Sequence, residues 1–327
     1  MDSGKSQGRQ IEDSIVGRKI YLRILGFLLL VFILSQIDFH AFANIFSKMG
    51  LGYYLFALVL LFPAMLCNAW RWQSLMRFQG IVYSLAKCFA ACAAGTYLGL
   101  ITPGRMGDLV RVFYLKDDGY STGKASFSVL VDRLYDLFAL CFFGGISLFI
   151  FFDYLKRVPN LSILVTLIAV VSIFTAFYFK GKEIKEIVVN RFFTLIPSPY
   201  KNLLKTNVMD FFEDVRILNF NKINLLAGIT LIRWVVIFVL HYLLALSLRI
   251  DLSFWYISAC VSLSALISLI PVSIAGIGTR DGTLILLFPY LGSTKEAAIA
   301  FSFLILSTSI ISGLLGFIFW TKRPLRF

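Results

Sequence analysis

The sequence predicts an all-α membrane protein with about six full transmembrane helices and two further helical hairpins that enter and leave on the same side. Its mean hydropathy is +0.83. Only 15% of its residues are charged, against about 25% in soluble domains. Its apolar blocks are long enough to span about 30 Å of hydrocarbon. Two of these blocks are broken by charged Pro/Gly turns, at 103–111 and 271–281.

The 327 residues contain no long polar stretch, which predicts one membrane domain over 1–327. Residues 1–19 form an N-terminal tail, and 180–224 form a basic loop. The six full spans are predicted from the uninterrupted apolar blocks: Ile20–Ser35, Leu51–Cys67, Leu134–Phe152, Leu161–Phe179, Leu225–Leu248 and Ala297–Trp320.

The first apolar block follows Arg18 and Lys19, as the apolar region of a signal peptide would. Ala41-Phe42-Ala43 would then be its small-residue cleavage site. The residues that follow instead favour an uncleaved anchor, because Ile37, Phe42, Ile45, Phe46 and Met49 have the pattern of an interfacial amphipathic segment.

The two broken segments are predicted to be re-entrant hairpins. Cys88–Thr102 would turn at Pro103–Gly104 and return through Leu109–Leu115. Phe254–Ile270 would enter from the opposite side, turn at 271–278 and return through Thr283–Leu291. This opposed pair is the arrangement expected of an inverted repeat, although similarity between the two halves of the sequence is too weak to establish a duplication.

The hairpins also reconcile the topology with the positive-inside rule, since they leave the basic loop on the cytoplasmic side. Both termini are then cytoplasmic, in a multi-pass protein of a bacterial or archaeal plasma membrane. Five basic residues fall on the outer side: Lys48, Lys156, Arg157, Arg249 and Lys295. The inner side carries the other flanking charges, among them Arg71, Arg77, Lys116, Lys124, Lys322 and Arg323.

Within the basic loop, apolar residues recur at helical spacing from Tyr200 to Val215, with charged residues between them. This pattern predicts an amphipathic helix. It could lie on the anionic inner leaflet or pack against the bundle.

Several function classes are disfavoured. The net charge of +13 follows from topology, and no nucleic-acid motif accompanies it. The five cysteines lie in apolar runs and, with two histidines in the chain, form no zinc-ligand set. We expect no metal and no cofactor. No nucleophile–base set, Walker A loop or dinucleotide fingerprint is present, so an enzyme is not favoured.

Charged residues inside or near the apolar layer are the candidate binding site, because they are costly there unless paired or hydrated. The candidate substrate-binding residues are Arg105, Asp108, Arg111, Asp132, Arg133, Asp136, Arg233, Arg280 and Asp281. The candidate residues that shape the hairpins are Pro103, Gly104, Gly107, Pro271, Gly276 and Gly278.

The chemistry of these residues suits a phosphate-bearing headgroup. Arginine binds phosphate in a bidentate way and remains charged. Glycines allow close backbone approach, and a helix N-terminus attracts anions. Asp132 and Asp136 share a helix face at i,i+4, and Arg233 and His241 share another. In the alternative interpretation the charges only brace the hairpins, and a proton relay through an aspartate also stays open. A hairpin pair that meets at one site further predicts an ion pair between Asp108 and Arg280, or between Arg105 and Asp281.

Four stretches together resemble the lysylphosphatidylglycerol synthase transmembrane family, also described as flippase-like. They are Arg71-Trp72, Thr102 to Asp108 with Arg111, Val131 to Asp136, and Ile270-Pro271 through Gly276 to Gly282. Their order and spacing cover nearly the whole chain. The family often has Glu where this chain has Asp132 and Asp281, which changes the reach of the acid.

The resemblance implies a membrane domain that moves lipid. In the multiple peptide resistance factor this domain flips lysylphosphatidylglycerol, and a separate soluble domain makes that lipid. Other relatives accompany hopanoid, glycolipid or polyprenyl-linked pathways, so the fold does not specify the lipid.

The sequence therefore predicts a protein that translocates a phospholipid, an aminoacylated phospholipid or a polyprenyl-linked lipid between leaflets. Its expected partners are membrane lipids with anionic or phosphate headgroups. The first alternative is a membrane-embedded enzyme of lipid modification, and the second is an assembly partner for a lipid-synthesis enzyme. Lipid identity, energy coupling and oligomeric state stay open.

Overall fold

A computed structural model describes residues 39–102, 107–152, 219–269 and 278–323, and within them every regular element is a helix. Ten helices follow in order: α1 (Phe39–Ser47), α2 (Leu51–Val59), α3 (Leu61–Phe78), α4 (Leu85–Ile101), α5 (Val110–Asp117), α6 (Thr122–Ile150), α7 (Phe220–Ser247), α8 (Phe254–Ile267), α9 (Thr279–Tyr290) and α10 (Lys295–Lys322).

Four of the described helical segments are long and apolar enough to cross a membrane: Leu51–Phe78, which joins α2 and α3, and helices α6, α7 and α10. Each coincides with one predicted span, although the spans Leu134–Phe152 and Leu225–Leu248 run one or two residues past the helix ends. Helices α4 and α8 are shorter and apolar. The structure thus confirms an all-helical protein with several membrane-crossing candidates. The predicted spans Ile20–Ser35 and Leu161–Phe179, the tail 1–19 and the amphipathic helix at 200–215 lie outside the described residues.

The helices extend past the predicted spans toward one end of the bundle. Helix α6 begins at Thr122 rather than Leu134, and α3 continues past Cys67 to Phe78. Hydropathy marks only the uncharged part of a helix. These two helices continue through charged residues whose hydrogen bonds are made inside the protein.

Contacts between helix ends define the two ends of the bundle. At one end the Gln79 amide donates to the Lys124 carbonyl (3.0 Å), and the Lys222 ammonium lies 5.0 Å from the Phe78 ring centre. At the other end the Gly50 N–H donates to the Ser247 carbonyl (2.7 Å). We call the first the basic end, because the described residues there include Arg77, Lys87, Lys116, Lys124, Lys222, Lys322 and Arg323.

Two helix pairs begin and end at the same end of the bundle. Helix α4 starts just after Tyr83 and α5 stops just before Asp118, and the Tyr83 hydroxyl donates to the Asp118 carboxylate (2.7 Å). Helix α7 ends at the end of the bundle opposite the basic end, and α8 therefore begins there. Helix α9 finishes at that same opposite end, where the Tyr290 and Phe151 rings lie 6.3 Å apart. The α4–α5 and α8–α9 pairs therefore form hairpins that point in opposite directions.

Close backbone packing fixes the first hairpin. A Cβ atom on Gly107 would lie 2.0 Å from the Gly99 nitrogen and 2.5 Å from the Gly95 carbonyl oxygen. Only glycine allows this approach. Helix α10 packs along α4 with similar closeness, since a Cβ on Gly316 would lie 2.1 Å from the Ala93 carbonyl oxygen. Glycines thus let the segment that leads into α5, and helix α10, both approach the α4 backbone closely.

Candidate functional site

A cluster of arginines and aspartates is centred on Arg71 of α3, whose side chain is 1% exposed. Its Nε donates to Asp132 Oδ1 and one Nη to Asp136 Oδ1, both at 2.7 Å. Further bonds reach the Thr230 hydroxyl, the Asn68 side-chain oxygen and the Asp132 carbonyl, at 3.1 to 3.2 Å. Arg71 thus joins α3, α6 and α7 through a single guanidinium group, and its burial is compensated by two carboxylates.

Arg111, on α5, completes the buried part of the cluster. Its Nη1 donates to Asp132 Oδ2 at 2.8 Å, and the side chains of both residues have no exposed surface. The Arg111 guanidinium also lies 5.0 Å from the Trp72 ring centre, within the range of a cation–π contact. The Trp72 N–H donates to the Ser128 hydroxyl (3.1 Å), which fixes the ring. We call Arg71, Arg111 and Asp132 the floor of the cluster.

Four further residues form a more accessible part, which we call the mouth. The exposed fractions of their side chains are 36% for Arg133, 22% for Arg233, 17% for Asp108 and 19% for Asp136. Arg133 bridges Asp108 (2.8 Å) and Asp136 (3.1 Å), and Arg233 contacts Asp136 at 2.7 Å. The mouth is therefore lined by charges that are paired yet reachable.

The cluster has more hydrogen-bond donors than acceptors. Within the described residues, three guanidinium nitrogens are buried without a hydrogen-bond partner: Arg111 Nη2, Arg133 Nε and Arg233 Nε. Arg111 Nη2 lies 3.3 Å from Asp108 Oδ1, but without the geometry of a hydrogen bond. Among the described residues, four arginines share three aspartates. Buried donors normally find acceptors, so the cluster has unused capacity for an anionic or oxygen-rich group.

The second hairpin carries a separate and smaller polar group. Arg280 and Asp281 pair with each other (3.1 Å), and Arg280 Nε also donates to the Ser302 hydroxyl (2.8 Å). The Ser302 hydroxyl in turn donates to the Asp281 carboxylate. Asp281 accepts from the Gly278 N–H (2.8 Å). Gly278 has a φ of 95° and is the N-cap residue of α9. These contacts neutralise the pair and fix the start of α9.

The predicted ion pair between Asp108 and Arg280 is wrong in this structure. Asp108 contacts Arg111 and Arg133 of the first hairpin and α6, whereas Arg280 contacts its neighbour Asp281. The physical reason is local, because each charge finds an opposite charge on its own hairpin or on the nearest long helix. The alternative pair of Arg105 with Asp281 lies partly outside the described residues. The predicted hairpin-shaping residues Pro103, Gly104, Pro271 and Gly276 lie outside the described residues.

The structure brings together Asp108, Arg111, Asp132, Arg133, Asp136 and Arg233 from the predicted set. It also adds one residue, because Arg71, predicted as a flanking charge, is buried at the centre of the cluster. Asn68 and Thr230, which bond to it, were not predicted. The available signal was that Arg71 lies between two tryptophans inside a continuous helix.

The comparisons with known proteins agree with this architecture. The family model described as "Lysylphosphatidylglycerol synthase TM region" matches residues 20–316, and the chain belongs to this family. A UPF0104 membrane protein of Methanothermobacter thermautotrophicus is 25% identical over 264 residues, which cover 76% of this chain and 78% of that protein.

Proposed function

We propose that this member of the lysylphosphatidylglycerol synthase TM region family moves a lipid with a phosphate-bearing headgroup between the two leaflets. The supporting observation is the surplus of hydrogen-bond donors in the charged cluster. Phosphate oxygens are strong acceptors, and arginine binds them with parallel N–H donors. A phosphate at the mouth would supply the acceptors that the described residues lack.

In this proposal the floor and the mouth have different tasks. Arg71 and Arg111 have almost no exposed surface and already hold Asp132, so they support the site. Arg133 and Arg233 are reachable from outside the cluster and contact the phosphate. Asp108 and Asp136 hold these two arginines in place when no phosphate is bound.

The position of the cluster along the helices fits a lipid path. Asp132 follows the α6 start at Thr122 by ten residues, which corresponds to about 15 Å at 1.5 Å per residue. Helix α6 has 29 residues and is therefore about 44 Å long, so Asp132 lies away from both of its ends. With the basic end in the cytoplasm, the two hairpins would be re-entrant from opposite sides, as in transporters whose sites lie at the midplane.

A liposome assay tests the proposal directly. Purified protein is reconstituted in phosphatidylcholine vesicles that contain a trace of NBD-labelled phosphatidylglycerol, with and without an imposed pH gradient. Dithionite then destroys the fluorescence of the outer leaflet. We expect the protected inner-leaflet fluorescence to decay in protein-containing vesicles, and thin-layer chromatography to recover the lipid unchanged.

Two variants connect the assay to the cluster. Arg233→Gln removes a mouth cation and should slow the decay about tenfold or more, since hydrogen bonds to charged groups are the strong ones. Arg77→Gln, at an exposed position of α3, is the matched control and should leave the rate unchanged. Protected fluorescence that persists with wild-type protein would contradict the proposal. A chemically altered lipid would favour a lipid-modifying enzyme instead.

A further inference from the structure

One buried donor beside the charged cluster is not an arginine. Trp234 follows Arg233 on α7 and is 7% exposed, and its indole N–H has no hydrogen-bond partner among the described residues. A buried tryptophan normally directs its N–H to an acceptor. Trp72 does so in this protein, by donating to Ser128. The unpaired N–H of Trp234 therefore requires an explanation that packing does not supply.

The surroundings of Trp234 are apolar and aromatic. Its ring centre lies 5.3 Å from that of Phe143 and 5.4 Å from that of Phe238, and the two phenylalanine rings are 5.0 Å apart. Ala139, Leu140 and Leu266 belong to the same buried cluster. The three rings belong to α6 and α7, and Leu266 of α8 packs in the same buried cluster, which we call the aromatic layer.

This aromatic layer lies on the side of the charged cluster that faces away from the basic end. Helices α6 and α7 both run from the basic end to the opposite end, and Ala139 and Leu140 lie one turn beyond Asp136 on α6. A headgroup that left Arg233 in that direction would meet Trp234 next. Among the described residues, an unused N–H donor thus belongs to the residue that follows Arg233 on α7, on the side of the cluster away from the basic end.

We propose that Trp234 is a second contact for the phosphate-bearing headgroup, reached after it leaves Arg133 and Arg233. The indole N–H would donate to a phosphate oxygen while the rings of Phe143 and Phe238 part to admit it. This inference rests on the proposed function and adds a residue and a direction to it.

Trp234→Phe tests the inference, because it removes the N–H while keeping an aromatic ring in the layer. In the NBD-phosphatidylglycerol assay we expect transfer about tenfold slower than in wild type. The rise in Tm that dihexanoyl phosphatidylglycerol produces in detergent should be retained, since the arginines of the mouth are intact. The ligand-free Tm should fall modestly, because the smaller phenylalanine ring leaves a cavity in the buried cluster. Trp255→Phe, at a position that is 75% exposed, is the control.

The outcomes separate this inference from the proposed function. If wild-type protein transfers no lipid, the proposed function fails and this inference fails with it. If wild type transfers lipid and Trp234→Phe keeps its rate within twofold, only the Trp234 contact is wrong. Loss of the Tm rise with dihexanoyl phosphatidylglycerol in Trp234→Phe would mean that Trp234 belongs to the first contact of the headgroup, and would also overturn the inference.

Discussion

The Arg71 guanidinium contacts both Asp132 and Asp136 at 2.7 Å, although Arg71 and Asp132 are 61 residues apart in the sequence. The two aspartates lie one helical turn apart on α6, so a single planar guanidinium can hold both. Arg111 donates a hydrogen bond to the other carboxylate oxygen of Asp132. The long helix α6 is therefore fixed to α3 and to the first hairpin at one point.

Arg71→Lys should destabilise the protein strongly. Lysine keeps the charge but cannot reproduce the planar arrangement of donors that serves Asp132, Asp136, Thr230 and Asn68. Breaking a buried ion pair costs about 3–5 kcal/mol. We expect a lower melting temperature in detergent than for wild type, whereas Arg77→Lys, on the exposed face of the same helix, should melt as wild type does. Equal melting temperatures for the two variants would show that Arg71 does not brace the bundle.

Local spacing predicted part of this cluster from the sequence. The i,i+4 relation of Asp132 and Asp136 placed both on one face of a helix, and the Pro/Gly interruption marked Asp108 and Arg111 as belonging to a hairpin. These inferences needed only the helical period and the cost of charge in hydrocarbon. Which helices would meet at that face was not accessible, because contacts between distant segments depend on packing.

Arg71 and Arg280 illustrate the remaining errors. Arg71 lies near the end of a predicted span, between tryptophans that are common at membrane interfaces, so its sequence context resembled that of a surface residue. Arg280 was expected to cross to the first hairpin, but the adjacent Asp281 and the Ser302 hydroxyl already satisfy it. Neither error could be corrected without knowing the position of α3 and α10.

Gly107→Ala should be one of the most damaging single-methyl substitutions in the chain. The added Cβ would meet the backbone of α4 at 2.0 to 2.5 Å, and backbone atoms cannot move aside cheaply. Separation of α4 from the hairpin would displace Asp108 and Arg111. We expect a loss of folded protein in fluorescence-detected size-exclusion chromatography.

Gly145→Ala is the matched control for this prediction. It lies within α6, and a Cβ there meets nothing within 4 Å. Alanine is favoured over glycine in a helix interior by about 0.5–1 kcal/mol, so this variant should be as stable as wild type or more so. Normal folding of Gly107→Ala would mean that the hairpin packs more loosely than the structure indicates.

A polar contact at the basic end should make stability depend on pH. Arg323 donates to both carboxylate oxygens of Asp118 (2.6 and 3.1 Å), and Tyr83 donates to one of them (2.7 Å). Burial alone would raise the pKa of Asp118, but the hydrogen bonds from Arg323 and Tyr83 outweigh it, and the pKa is lowered. A carboxylate with a lowered pKa stabilises the fold above its ordinary pKa of about 4, and this contribution is lost as the pH falls further.

Asp118→Asn should therefore be less stable than wild type at pH 7, and the difference should shrink as the pH approaches about 3. Because Arg323 is 41% exposed, solvent screens the pair, and we expect about 0.5–1 kcal/mol. Denaturation of both proteins across this pH range measures the effect, with the exposed neighbour substitution Asp117→Asn as control. A difference that stays constant with pH would rule out the carboxylate as its source.

The orientation of the bundle in the membrane can be tested with the same end contacts. The described basic end carries Lys124 beside Gln79, and the opposite end carries Lys295 at the start of α10. The positive-inside rule places the basic end in the cytoplasm, and the basic loop that contains Lys205 should lie there too.

Lys124→Cys and Lys205→Cys should then resist an impermeant maleimide in intact cells and react after permeabilisation. Lys295→Cys should react in intact cells, and the parent protein corrects for its five native cysteines. Labelling of position 124 from outside would mean that the bundle has the opposite orientation. Because α4 begins and α5 ends at the basic end, that result would contradict re-entry of the first hairpin from the cytoplasm.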